Sequence, residues 1–345
     1  MTPLSLSTTD PTSIFEYFRG SYGTELLTAA VAHFDLFGRL AQQPRTQEEL
    51  QADLGLAERP AIVLTTALRA MQLLQRDAQG RLELTPVAAE HLVRGNEFDV
   101  GGYLGLAATS SGVVEMVERL RSNRPAGLSG DGSGAAFIYR DGMKSAMEQA
   151  QLAEHFTLAL AGRAKNVAPV LAERMPLPGA RMLLDIGGGT GIYSIAFLRA
   201  NPGLNAIVLD RPEVLKTADG FVREYGVSTR VHLQAADMFA DPWPKADVIL
   251  LSNILHDWDV AECQQLIQQA ANALNPGGQV IIHDVLLNDE LDGPLPIALY
   301  SAALFTLTEG RVYSAREYQQ WLIRAGLEPQ PPVSTLIHCH AIVAR

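Results

Sequence analysis

Leu183-Leu184-Asp185-Ile186-Gly187-Gly188-Gly189-Thr190-Gly191 decides the fold. Apolar residues lead into an acid, glycines then recur at alternate positions, and the apolar run Ile192 to Leu198 follows. That order reads as a buried parallel strand, a tight turn and the start of a helix. Glycines belong in such a turn because a Cβ would block the close approach of a ligand, and because some turn positions need positive φ. Downstream, Ala206-Ile207-Val208-Leu209-Asp210 reads as a second buried strand ending in an acid. A carboxylate there can accept two ribose hydroxyl hydrogen bonds, so the pair marks a nucleoside site at the C-terminal edge of the strands.

The dinucleotide fingerprint is G-x-G-x-x-G, with a pyrophosphate on the helix N-terminus. Here the glycines run G-x-G-x-G and Asp185 precedes them. A carboxylate at that place repels a pyrophosphate but suits a ligand that bears an ammonium. S-adenosylmethionine has an ammonium, a sulfonium and no phosphate. A glycine-rich turn in a nucleotide fold of another kind is the alternative.

The chain has 345 residues, enough for one large or two ordinary domains with a sizeable core. Hydrophobic residues at 47% and charged residues at 19% fit a soluble globular protein. A net charge of -11 argues against a nucleic-acid partner, whose phosphates need clustered Lys and Arg. No apolar stretch long enough to span a bilayer and no signal peptide is visible, so no membrane partner is expected. Cys263 and Cys339 give neither a disulfide framework nor a zinc spacing, no metal is expected, and a reducing cytoplasm is the default location.

From about Ser13 to Arg163 the pattern is mostly helical, with Ile14, Phe18, Leu26, Leu27, Ala30, Val31, Phe34 and Leu36 at helix-like spacing. Thr46 with Glu49 three residues on opens a short helix ending near Gly55, and a second helix is expected over Pro60–Leu74. A turn at Asp77 to Gly80 and the run Arg81 to Thr85 follow. Helix, turn, helix and short hairpin make a winged-helix pattern. Its DNA-binding reading is weak, because the helix that would enter the groove carries only Arg59 and Arg69 among apolar residues. So apolar a helix is buried, and another subunit is one candidate to cover it. Asn123 to Gly134, rich in Gly, Ser and Pro, reads as a loop. A helical run with Phe137, Met143, Met147 and Phe156 comes next. Met143 and Met147 suit a core or the lid of a flat apolar pocket equally well.

From Met182 onward strand and helix alternate. Strands are expected at Met182–Ile186, Ala206–Leu209, Val231–Ala235, Val248–Leu251 and Val280–His283, and helices begin near Gly191, Pro212, Val260 and Ser314. Pro276-Gly277-Gly278 reads as a turn before the fifth strand, and alternating Leu336, His338, His340 and Ile342 as a final strand. The fold class is α/β, a doubly wound Rossmann-like sheet behind a helical domain, with the boundary between residues 165 and 166.

Asp237-Met238 follows the third strand; the acid can accept from an adenine amino group while Met packs on the ring, or it caps a turn. After the fourth strand, Ser252-Asn253-Ile254-Leu255-His256-Asp257-Trp258-Asp259 sets a His, two acids and an indole at the edge that carries the glycine turn. An imidazole is neutral and basic at physiological pH, which suits a general base; a structural His capping the next helix is the alternative. Asp259 with Glu262 offers a capping box, and Trp258 serves either packing or the ligand.

Asp185 to Gly191, Asp210-Arg-Pro-Glu-Val214, Asp237-Met238, Leu255-His-Asp-Trp258, Asn275-Pro-Gly-Gly278 and Ala325-Gly-Leu327 occur in that order. Together they resemble the small-molecule O-methyltransferases of the caffeic-acid and hydroxyindole (acetylserotonin) type, over nearly the whole chain. The resemblance implies a class I methyltransferase sheet, S-adenosylmethionine as donor with S-adenosylhomocysteine as product, an aromatic small-molecule acceptor, and a helical half that makes a homodimer. It implies donor contacts at Asp185, Gly187, Gly189, Asp210, Arg211, Asp237, Met238, Ser252 and Trp258, and an acceptor pocket including Met143, Met147 and Tyr300. It makes His256 the base. The family commonly sets two acids around that His. Asp284 stands at one place, shorter than the usual Glu; Val312 occupies the other, with Glu309 three residues earlier. Ser252 stands where a Lys is frequent. The expected activity is therefore O-methylation of an aromatic hydroxyl. C- or N-methylation by the same fold, or a non-catalytic regulatory protein that binds the donor, are the alternatives.

Overall fold

The computed structural model describes residues 4–124 and 150–345. They fall into two compact units. One unit combines Met1–Phe15, Phe137–Leu286 and Tyr313–Arg345; the other combines Glu16–Ala136 and Leu287–Val312. The division differs from a single cut at 165/166, which lies inside one continuous helix, Ala150–Arg174. The helix Leu295–Leu307 belongs with the N-terminal unit, because its Leu299, Ala302 and Phe305 are buried in that unit's core with Leu64 and Leu68.

The helical unit carries the winged-helix arrangement. Gln47–Leu54 opens on a full Thr46–Glu49 capping box and ends at Gly55 in the left-handed region. The second helix spans Glu58–Ala70, shorter than the expected Pro60–Leu74. Gln72 takes a positive φ of 60° beyond its end. The wing is a two-stranded antiparallel hairpin, β1 (Leu74–Arg76) and β2 (Leu82–Leu84). The second helix is buried by its own unit: Val63, Leu64, Ala67 and Leu68 are closed off among Leu26, Leu36, Leu120 and Phe305. Its apolar character therefore needs no second subunit. Arg59 is enclosed as well, donating to the Asn123 side chain and to the carbonyls of Thr308 and Gly310.

The other unit holds a seven-stranded sheet. Its strands are β3 (Met182–Ile186), β4 (Asn205–Asp210), β5 (Val231–Ala235), β6 (Ala246–Ser252), β7 (Leu274–Val285), β8 (Val333–Ser334) and β9 (Cys339–Ala344), in the order β5-β4-β3-β6-β7-β9-β8. The first five are mutually parallel, so β3 to β7 all end at one edge; β9 pairs antiparallel with β7, and β8 with β9. The sequence reverses direction beside β3, with β4 on one side and β6 on the other. That is the place where open α/β sheets bind ligands.

Two local readings change. Pro276-Gly277-Gly278 is not a turn ahead of the strand but an irregularity within β7: Ala246 pairs with Leu274 and Val248 with Gln279. The extra residues bulge past Asp247, whose carboxylate collects N–H groups from Arg181, Met182 and Asn275. The tail forms its strand only from Cys339, after Ile337 and His338 in the left-handed region. Met143, Met147, Phe137 and the loop to Gly134 lie outside the described residues. Among the described residues no helix is long and apolar enough to cross a membrane.

Candidate active site

The glycine turn forms because three of its residues take backbone conformations that side chains disfavour. Gly187, Gly189 and Gly191 have φ of 60°, 57° and 72°. At Gly187 a Cβ would also meet the end of the Ile254 side chain, which would have to turn aside. At Gly189 a Cβ would face open space. Asp210, at the end of β4, ties the turn down: one oxygen accepts from Gly189 N–H at 2.9 Å and the other from Arg211 N–H at 2.7 Å. Asp185 is buried beneath the turn and accepts from the Ser194 hydroxyl at 2.7 Å. Burial pushes the Asp185 pKa up to about 7, with Asp210 adding to it against the Ser194 hydrogen bond. Burial likewise raises Asp210 to about 6.

Asp237 is exposed after β5 and accepts from Phe239 N–H at 2.8 Å, so the turn-capping reading holds locally while its face stays open to solvent. Met238 lies next to it, half-buried, its carbonyl accepting from Trp243 Nε1. Trp258 is buried, with its ring edge-on to Phe239 at 4.7 Å and its carbonyl accepting from the Tyr313 hydroxyl at 2.6 Å. Asp259 caps the helix Val260–Ala273 through Val260 N–H, without the capping box expected with Glu262. The full box occurs instead at Ser314 and Glu317.

His256 sits on a short 3-10 turn, Leu255–Asp257, after β6. Its ring is buried; Nδ1 meets Asp284 Oδ1 at 2.5 Å and Nε2 lies 3.7 Å from Asp257 Oδ1. Asp284 is the penultimate residue of β7, fixed by Val285 N–H on one oxygen and by the Tyr318 hydroxyl on the other. Burial opposes charge on the ring, but the carboxylates of Asp284 and Asp257 outweigh it and hold His256 above the usual imidazole pKa. Asp284 is likewise held below the usual carboxylate range, the imidazolium prevailing over burial. Asp257 rises to about 6, since for it burial prevails.

Ser252 belongs to a different group of contacts. Its hydroxyl pairs with His283 Nδ1 at 3.0 Å, and His283 Nε2 pairs with the Thr335 hydroxyl at 3.1 Å. Burial, then the charge of Arg163, push the His283 pKa down to about 3, so this second imidazole is neutral. Glu309 and Tyr300 belong to the helical unit. Glu309 is half-buried there, and the Tyr300 ring lies 4.7 Å from the Arg19 guanidinium. Val312 in the same unit is fully buried, its N–H donating to the Ser301 hydroxyl. Tyr318 and Arg163 escaped the sequence reading. A Tyr three residues before Trp321 in an amphipathic helix looks like core, and nothing local links Arg163 to Asn253 ninety residues away.

The residues present fit S-adenosylmethionine. The glycine turn leaves room above Gly189, Asp210 stands half-buried at the end of the neighbouring strand, and Asp185, Asp210 and Asp237 make the group acidic. Asp185, Gly187, Gly189, Asp210, Asp237 and Met238 would hold it, and bound there it would supply a methyl group on a sulfonium.

A turn, an acid-tipped second strand and a buried His–Asp pair on one edge of such a sheet define a class I methyltransferase. Residues 130–328 match the O-methyltransferase domain family, and the chain belongs to that family. It is 35% identical, over 92% of its length and 89% of the relative's, to a 3-hydroxy-5-methyl-1-naphthoate 3-O-methyltransferase of Streptomyces sahachiroi. It is 32% identical, over 90% and 85%, to an L-tyrosine C(3)-methyltransferase of Streptomyces lavendulae. Among solved structures it resembles an O-methyltransferase family 2 protein of Planctomyces limnophilus in complex with apigenin, with 46% identity, 99% and 98% coverage and a TM-score of 0.88. The protein is an S-adenosylmethionine-dependent methyltransferase.

Proposed function

We propose that this enzyme methylates a hydroxyl group of an aromatic small molecule, with His256 as general base and Asp284 holding its ring. The observation that carries the reading is the 2.5 Å contact between His256 Nδ1 and Asp284, which with Nδ1 donating sets the basic lone pair on Nε2. Methyl transfer is an in-line displacement, and holding donor and acceptor together supplies roughly 7–11 kcal/mol. A phenol of pKa about 10 facing an imidazole at about 6.5 leaves a gap of roughly 5 kcal/mol if the proton moved first. Proton removal therefore accompanies attack. The raised pKa of His256 narrows the gap, and Asp284 stabilises the imidazolium that forms. Asp284 is the acid bonded to the ring, so the orienting role falls to it. The naphthoate relative and the apigenin complex support an aromatic acceptor.

The tyrosine C(3)-methyltransferase relative favours a second reading, methylation of a ring carbon. The same base serves both, since a phenolate is nucleophilic at oxygen and at the ortho carbon. Product analysis separates them. Incubation with S-adenosylmethionine and a panel of phenols should yield S-adenosylhomocysteine and a methyl ether. A ring-methylated product with its hydroxyl intact would establish the second reading, and no turnover across the panel would reject the phenolic acceptor.

The proposal includes a homodimer. Tyr17 and Phe18 are 87% and 78% exposed, which a second copy of the chain would cover. It also includes a cytoplasmic location, consistent with the buried thiols of Cys263 and Cys339.

A further inference from the structure

We propose that Tyr313 is a positioning residue for His256: its hydroxyl, bonded to the carbonyl of Trp258, fixes the turn that carries the imidazole. The inference rests on the reading of His256 as general base and adds the device that aims it.

The His256 turn is weakly held by its own backbone. It is one 3-10 turn, Leu255–Asp257, and Trp258 beyond it is already extended, at φ -123° and ψ 152°. Asp257 N–H donates to the Ile254 carbonyl at 3.2 Å and Trp258 N–H to the Leu255 carbonyl at 3.1 Å. Both bonds are at the long end of the usual range, and 3-10 geometry aligns them poorly. A ring on so short a turn goes where the ends of the turn go. Tyr313 O–H donates to the Trp258 carbonyl at 2.6 Å. The Cys263 thiol reaches the same oxygen at 3.4 Å and the Leu255 carbonyl at 3.1 Å. The phenol is the shorter contact and the stronger donor, a thiol being a weak one.

Tyr313 is itself aimed by a helix start. Ser314 caps the helix Ala315–Arg324 and closes the capping box with Glu317. Tyr313 precedes the cap and Tyr318 is the fourth residue of the helix, the two places whose side chains pack together as a hydrophobic staple. Their rings lie 5.7 Å apart, and both close on Trp321, at 4.9 Å and 5.5 Å. A staple needs only apolar side chains. Here both residues carry hydroxyls, and these go to the two halves of the His256–Asp284 pair: Tyr318 to the carboxylate, Tyr313 to the backbone two residues past the imidazole. The three rings are buried in the same core as Leu255, Trp258 and Cys263, so the staple cannot turn away without opening that core. One helix start therefore sets the imidazole and its acid in a common frame.

What faces the ring gives the proposal a pH signature. Burial lowers the His256 pKa, Asp284 from β7 and Asp257 from the turn raise it, and the charge of Arg163 on the helix Ala150–Arg174 lowers it, with the carboxylates prevailing. The Tyr318 hydroxyl faces Asp284 rather than the ring. A turn that slackens draws the imidazole off Asp284 and lets burial gain, so the pKa of the ring falls.

Tyr313→Phe keeps the ring and the staple and removes the hydroxyl. With the phenol turned over best in the panel above, turnover at saturation should fall by about tenfold or more. S-adenosylhomocysteine affinity, measured by calorimetry, should be unchanged. The acid limb of the pH–rate profile should move to lower pH, opposite to the shift expected when Asp284 loses the Tyr318 hydroxyl. In a His256→Ala background the same substitution should leave turnover where it is, because its effect passes through the imidazole. Cys263→Ala removes the weaker donor from the same carbonyl. It should move the limb the same way by less, and it carries the test if Tyr313→Phe does not fold. An unmoved limb with wild-type turnover overturns the proposal whatever the melting temperature does, and so does an equal loss of turnover with and without His256. A His256→Ala enzyme that keeps its turnover would reject the base itself, which is a separate failure.

Discussion

The Tyr318 hydroxyl donates to Asp284 Oδ2 at 3.1 Å, on the oxygen that His256 does not use. Both groups are buried, and burial with the adjacent carboxylate holds the phenol well above its ordinary pKa, so it stays a donor at every working pH. Asp284 is therefore held from both sides, which makes up for its being shorter than a Glu. Tyr318→Phe removes a hydrogen bond to a charged group, a loss of about 1.5–3 kcal/mol in stability. It also leaves the carboxylate less satisfied and more attractive to the imidazolium. The acid limb of the pH–rate profile should therefore move to higher pH, while S-adenosylhomocysteine affinity stays put. A lower melting temperature with an unmoved limb would reduce Tyr318 to packing.

His256→Ala should lower turnover by about 10²–10⁴-fold and leave donor affinity nearly intact. Single-turnover kinetics and calorimetry measure the two separately. A drop of less than tenfold on the true acceptor removes His256 from the base role.

The pH dependence has a sign that can be worked out. The folded pKa of His256 is raised, so the stability it contributes is fully present below about 6.5 and fades as pH climbs through the folded value. Asp284 is depressed, so its contribution is present above about 3.9 and fades as pH falls through its folded value. Activity needs the neutral imidazole and should rise where the His256 contribution is lost. Asp284→Asn removes the main charge that opposes burial. The acid limb should then shift down, and turnover should fall by roughly tenfold or more as ring orientation loosens. A limb that stays in place would show that Asp257 alone sets the imidazole.

Donor affinity should also depend on pH. Asp185 and Asp210, at about 7 and 6, must ionise to face a cationic ligand. Calorimetry should show S-adenosylmethionine binding weaken as pH falls from 7.5 to 5.5. Asp210→Ala should cost about 1.5–3 kcal/mol of donor binding. Since Asp210 also holds Gly189, Asp210→Asn serves as the control that keeps the side chain's size. Affinity unchanged in both variants would take the ribose away from Asp210.

A homodimer should appear in light scattering at micromolar concentration, with an interface above about 2,000 Å². Phe18→Glu should raise the dissociation constant. A monomeric wild type would contradict the proposed assembly.

The strand–turn–helix at Asp185 to Leu198 was legible because glycine spacing and apolar runs are local signals, and its three positive φ values answer them. The capping boxes show how far such signals reach. Thr46–Glu49 and Ser314–Glu317 close, whereas Asp259–Glu262 has the letters and not the box. Pro276-Gly277-Gly278 has turn chemistry, yet pairing with β6 continues around it. His256 was legible from its place after a strand. Its bond to Asp284 rested on the family resemblance, because a contact across 28 residues leaves no local trace. Tyr318 reaches Asp284, and Arg163 reaches Asn253, from helices whose own patterns only describe how they pack.

The two cysteines have a use as reporters. Cys263 Sγ lies 3.1 Å from the Leu255 carbonyl, beside the His256 turn, while Cys339, at the start of β9, receives the Arg163 guanidinium. Both thiols are closed to solvent, so a disulfide reagent reaches each only when its surroundings open. Labelling rates followed by peptide mass would then time the opening of two places a few residues from the chemistry, without a probe being added to the chain.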